Sequence, residues 1–124
     1  MAVTYTTAVK NARLDAVTTA IGTTGVLEIG TTGMASILAT IALGNPAAAA
    51  AASGVLTLSG FPRSDTSADN TGTAAAARIR TASGGTDIVT GLTVGLSASD
   101  INLDSLSITT GQTVTLNSAT ITHA

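Results

Sequence analysis

The apolar side chains of this chain are almost all aliphatic and small. Tyr5 and Phe61 are the only aromatic residues among 124, and tryptophan is absent. A buried aromatic contributes far more apolar area than an alanine, so the core must be thin and built from Ala, Val, Leu and Ile. Sheets faced with such residues approach closely but gain less per residue. Neighbouring subunits are therefore expected to supply part of the stability. A hydrophobic fraction of 44% with a net charge of only −2 belongs to a folding chain, not to a disordered tail. The length fits one domain over residues 1–124.

Charged residues make up 10% of the chain, against about a quarter in typical soluble domains. Such a surface suits solvation by Thr and Ser or coverage by partners. Lys10, Arg13, Arg63, Arg78 and Arg80 are outnumbered by seven acids. No basic patch exists to neutralise phosphates, so no nucleic-acid partner is expected. Without cysteine there is neither a disulfide framework nor a thiolate metal site. Lys10, Arg13 and Asp15 interrupt any signal-peptide core near the start, and the absence of cysteine fits folding in a reducing cytoplasm. The most apolar stretch, residues 35–56, is broken by Gly44, Asn45 and Pro46, and no membrane association is expected from it.

One helix is expected, within residues 4–21. Val9, Ala12, Ala16, Val17, Ala20 and Ile21 recur at helical spacing and should form an Ala-rich buried face. Thr6 or Thr7 is placed to cap its start, and Gly22 stands at the position of a C′ glycine. From Gly22 onward, short apolar runs alternate with turn residues, the pattern of an all-β unit over residues 25–123. Strands are expected at 25–29, 36–43, 54–59, 73–82, 87–94, 100–108 and 114–122. The run at 36–43 is apolar nearly throughout, which places it centrally or under cover on both faces. Residues 47–52 are all alanine and read as a single helical turn or a packed loop. Residues 60–73 form the longest polar connection, expected as an exposed loop available for contacts. Arg78 and Arg80 should share one strand face, with Ile79 on the other. The tetrad Gly-Thr-Thr-Gly, at 22–25 and 30–33, marks two similar turns. Seven or eight strands and one N-terminal helix fit a jelly-roll-like or two-sheet β-sandwich. Its open edges would admit an added strand.

A search for chemistry finds no catalytic constellation, no cofactor motif and no metal site. His123, the one histidine, lies beside the last residue, where side chains are usually solvated. Asp100, Asn102 and Asp104 match the first three ligand positions of a calcium loop. The match then fails, with Ser105 where glycine is needed and Gly111 where glutamate is needed. Alternation with Ile101 and Leu103 explains them as the polar face of a strand. Asp65 and Asp69 fit turn chemistry. Arg78 and Arg80 fit either a solvated face or a site for a partner's carboxylates.

The order of several segments is familiar. The opening Thr4-Tyr5-Thr6-Thr7-Ala8-Val9-Lys10-Asn11-Ala12-Arg13 leads to Ala16-Val17. Ala52-Ser53-Gly54-Val55-Leu56-Thr57 follows, and then Ser105-Leu106-Ser107-Ile108 with Gly111-Gln112-Thr113-Val114. Together these resemble small proteins from the structural gene blocks of tailed bacteriophages and prophages, some of them similar to capsid decoration, or cement, proteins of jelly-roll-like fold. The resemblance runs along nearly the whole chain. Relatives of that kind often carry aromatics near the Ala-rich loop and in the strand after the polar loop, where this chain has alanines at 47–52 and 74–77.

The resemblance implies a non-enzymatic virion protein on the outer capsid surface, bridging subunits of the major capsid protein and stabilising the head. It would act as a homo-oligomer, a dimer or trimer, and need no cofactor. The candidate contact residues are Val9, Arg13 and Val17 on the helix, Phe61 and Arg63 in the polar loop, and Arg78 and Arg80 on their strand. Two alternatives remain. One is another virion part, such as a head fibre, tail or baseplate protein. The other is a carbohydrate-binding β-sandwich module, which the scarcity of aromatic platforms disfavours.

Overall fold

The computed structural model describes residues 3–123. Its single α-helix, α1, spans Thr7–Ile21. Thr6 is its N-cap: Thr6 Oγ1 accepts the Val9 N–H at 3.3 Å, one of the orphan donors of the first turn. Gly22 ends it at φ +75°, a conformation that costs glycine nothing. Both ends therefore lie where the sequence places them.

The faces of α1 do not. Leu14 and Ile21 are buried and Val17 is half-buried against the core, whereas Ala8, Val9, Ala12, Ala16 and Ala20 face outward. Of the expected buried face only Val17 and Ile21 turn inward, while Val9 and the alanines lie toward solvent. A docked helix turns inward the side chains that remove most apolar area from water, and Leu14, which the spacing argument passed over, outweighs any alanine.

Eleven strands follow in the described chain: β1 Val26–Gly30, β2 Ile37–Ala42, β3 Val55–Thr57, β4 Arg63–Asp65, β5 Gly72–Thr73, β6 Ala76–Arg80, β7 Asp87–Leu92, β8 Val94–Gly95, β9 Ile101–Leu103, β10 Ser107–Ile108 and β11 Val114–Thr122. One antiparallel sheet has the order β2-β1-β6-β7. In the other, β3 and β4 lie end to end on one side of β11, with β9 and then β8 on its far side. A short β5–β10 ladder stands apart. Leu27, Ile29 and Ile79 of the first sheet join Leu56, Ile101, Leu103 and Leu116 of the second in one continuous apolar cluster. The molecule is an all-β sandwich-type body with one N-terminal helix. Its core is aliphatic, as composition requires: Phe61 only borders it and Tyr5 is 43% exposed.

The strand count exceeds expectation because three expected strands are each broken in two, into β5 and β6, β7 and β8, and β9 and β10, and because β4 is added by the polar connection 60–73, which is not free. That connection contributes β4 to β11 and β5 to β10, and it buries Ala68. The alanine run forms no helix. Ala47 and Ala48 are buried, and isolated bridges join Ala48 to Leu58 and Ala52 to Val55.

Strand β2 is an edge strand, not a central one, yet it is mostly buried. Its outer edge is covered from the polar connection. Asp65 Oδ2 accepts the Thr40 N–H at 3.0 Å, Leu38 O accepts the Asp69 N–H at 2.8 Å, and Ile37 O accepts from Asn70 Nδ2 at 2.7 Å. A continuous apolar strand is therefore shielded by two side chains and a backbone amide instead of a neighbouring strand. The opposite edge, β7, carries two extra residues relative to β6, between the pairs Ala77↔Leu92, Ile79↔Val89 and Arg80↔Asp87. Such bulges twist an edge away from further pairing. Neither edge of this sheet is the open template for strand addition that the sequence suggested.

Gly25 joins α1 to β1. A Cβ there would stand 2.1 Å from Ile21 Cγ2, and Ile21 is 1% exposed. A buried isoleucine has nowhere to move, so Gly25→Ala is expected to destabilise by about 2 kcal/mol through overpacking. Urea unfolding followed by far-UV circular dichroism measures this. An unchanged midpoint would show that the helix end shifts freely.

Candidate functional site

The arginines of β6 face a carboxylate of their own chain. Glu28, at the centre of β1, lies directly across from Arg78 in the ladder and is only 4% exposed. Its Oε1 accepts from Arg78 Nε at 2.7 Å and lies 3.7 Å from Arg80 Nη1. Arg80 also donates through Nη2 to Gly85 O at 2.6 Å. Its Nε lies 2.9 Å from Asp87 Oδ1, an ion pair without hydrogen-bond geometry. Two cations and two anions balance in this patch. Arg78 and Arg80 do share a face opposite Ile79, as expected, but that face is a closed internal network. The signal that could have found it is a lone acid in an otherwise apolar strand, matched by two arginines at a spacing of two.

Arg63 and Phe61 also serve the fold. Arg63 donates to Ser59 O and Ala42 O, each at 3.4 Å, and its guanidinium lies 5.9 Å from the Phe61 ring centroid. Gly44 and Gly60 make room for it: a Cβ at either would fall within 3 Å of Arg63 Nη2.

Asp65 and Asp100 follow the same rule. Asp65 Oδ1 closes a turn on the Ser67 N–H, while Oδ2 reaches Thr40. Asp100 and Thr93 bind each other's backbone N–H groups through their side chains, both at 3.0 Å, which closes the loop between β8 and β9. Asn102 Oδ1 accepts from Ser99 N. The calcium-like triplet is thus strand and loop chemistry, with Ile101 and Leu103 buried between its members. Among the described residues no three of His, Asp and Glu gather as a metal site, and no pocket opens on the surface. Asp65→Ala should cost about 1–2 kcal/mol, because it strips the partner from the Thr40 N–H at the β2 edge. It should also raise light scattering on storage, since an uncovered edge invites pairing. Scattering equal to that of the parent protein would show that this cover does not protect the edge.

The helix presents the one group of candidate residues not consumed by the body. Val9 is 43% exposed, and the Arg13 guanidinium lies 4.5 Å from the centroid of the Tyr5 ring, which meets His123 edge-on. Val17 turns inward instead. Two residues that sequence reasoning missed moor the helix: Asp15 Oδ1 accepts the Ala51 N–H at 2.8 Å and Asn11 Oδ1 accepts the Gly54 N–H at 2.9 Å. The structure therefore does not gather the seven candidates into one surface. Val9 and Arg13 are together and outward, Arg63 and Phe61 form a second locus, and Arg78 and Arg80 a third. Comparison with protein-family models, with curated proteins and with solved structures returns no match.

Proposed function

We propose that this chain is a virion structural protein of a tailed bacteriophage or prophage that binds the outer surface of the head, bridges subunits of the major capsid protein and stabilises the shell. The observation that carries this reading is where the polar side chains go. Asp15, Glu28, Asp65, Asp87 and Asp100 all close the chain's own backbone or its own ion pairs. That supports a body selected for shape and rigidity, which is what a cement protein needs. The sequence resemblance to decoration proteins adds the location.

Docking by a face, and not by strand addition, fits the covered β2 edge and the bulged β7 edge. Repetition over a lattice multiplies weak contacts through effective concentration. The test is the copy number of this protein in purified particles, by quantitative mass spectrometry against the major capsid protein. A ratio near one, or a simple fraction of one, is expected. A handful of copies would assign it to a fibre, tail or baseplate, and none would remove it from the virion.

A further inference from the structure

Helix α1 is apolar on both sides. Inward it offers Leu14, Val17 and Ile21; outward it offers Ala8, Val9, Ala12, Ala16 and Ala20. A helix face turned to solvent normally carries mostly charged and polar residues; here the exposed polar residues are only Thr7, Arg13 and Thr19, set among small apolar ones. Of the four large apolar side chains exposed among the described residues, Val3, Tyr5 and Val9 belong to this segment, leaving only Leu96 elsewhere.

The charges beside this face say what covers it. At 3.6 residues per turn, the alanines at four-residue intervals drift slowly around the outer surface. Arg13 falls on one flank and Asp15 on the other, at almost the same height along the axis. Asp15 uses only Oδ1 toward Ala51, and Arg13, stacked on Tyr5, has no carboxylate partner among the described residues. When two such helices pack in parallel around an axis along their length, the right flank of one meets the left flank of the next. Arg13 then faces Asp15 of its neighbour, in each copy in turn. When they pack antiparallel, like flanks meet, and the two arginines share one side.

We propose that the outward face of α1 packs against the same face of a second copy, with the helices parallel and Arg13 of each copy paired with Asp15 of the next. The alanines allow close approach, and the cyclic arrangement closes as a dimer or a trimer. This adds self-association to the reading above and is separable from it, because it is measured on the isolated chain and not on particles.

The cysteine-free sequence makes the test direct. Ala8→Cys and Ala20→Cys, each alone under mild oxidation, are expected to form covalent dimers faster than a control at exposed Ser83 (Ser83→Cys). A disulfide needs Cα atoms within about 7 Å, and only parallel helices bring like positions together. Antiparallel helices centred on residue 14 hold like positions about 18 Å apart. Sedimentation equilibrium of the parent chain should give two or three copies, with association weakening as salt rises. Arg13→Glu should weaken association about tenfold, by converting each cross-pair into a repulsion. Far-UV circular dichroism and the urea midpoint of Arg13→Glu are measured beside its association, and values equal to those of the parent chain show that the loss does not reflect unfolding. A monomer at every concentration and at low salt would overturn the proposal. So would cross-linking only between Ala8→Cys and Ala20→Cys mixed together, or an oligomer in which neither variant cross-links.

Discussion

Replacing Leu116 by alanine is expected to lower folding stability by about 3–4 kcal/mol, the largest loss from any single truncation proposed for this chain. Leu116 is fully buried at the point where β11 is paired on both sides, opposite Arg63 of β4 and Leu103 of β9. Strands on either side pin the backbone there, so the cavity cannot collapse, and the cost of lost transfer is joined by the cost of the void. No aromatic side chain is buried nearby that could swing in to fill it: Phe61 sits at the border of the core. Since whole domains are stable by only about 5–15 kcal/mol, the variant should unfold at a markedly lower urea concentration. Without tryptophan, the transition is best followed by far-UV circular dichroism. A loss below about 1 kcal/mol would mean that the two sheets close over the gap.

The second large effect concerns the buried carboxylate. Arg78→Met is expected to cost about 3 kcal/mol, and to cost more than Glu28→Gln. The asymmetry follows from exposure. The Glu28 side chain is 5% accessible, while those of Arg78 and Arg80 are 21% and 20%. Removing Arg78 leaves a buried anion with one cation at 3.7 Å and without its 2.7 Å bond. Removing the Glu28 charge leaves two guanidinium groups that can turn to solvent, and a glutamine oxygen still able to accept from Arg78 Nε. Both variants are compared by urea midpoint at one pH. If Glu28→Gln proved the more damaging, the guanidinium groups and not the carboxylate would carry the burden of burial.

Much of this fold is legible in the residues. Thr6 and Gly22 mark the helix ends because capping is local chemistry, carried by the residue itself and a neighbour three or four places away. The hairpin of β6 and β7 is announced by Ser83-Gly84-Gly85, and β11 runs over the stretch that its alternation implies. What was hidden is long-range. Strand β4 exists because Arg63, Ser64 and Asp65 pair with β11 about fifty residues later, and nothing within residues 60–73 declares that partner. The apolar run of β2 correctly says that the strand is covered, but a lid of Asp65, Asp69 and Asn70 looks no different in sequence from a second neighbouring strand. The shared face of Arg78 and Arg80 follows from a period of two. Their partner Glu28 follows only from the register between β1 and β6, fixed by the whole sheet. The buried face of the helix is hidden for a different reason: alanine and leucine count alike in a periodicity, but not in the area they bury.

The mooring of α1 has a mechanical consequence. Asn11 and Asp15 tie the helix to the body at Gly54 and Ala51, and Leu14, Val17 and Ile21 follow along its length. These attachments form a single file, so a pull on the N-terminal end loads them one after another, like a strip being peeled. Strand β11 is held along nine residues by β3 and β4 on one side and β9 on the other, and tension along it loads many backbone bonds at once. Under force the molecule should therefore give way in two stages, the helix lifting at low load and the sheets parting only at a much higher one.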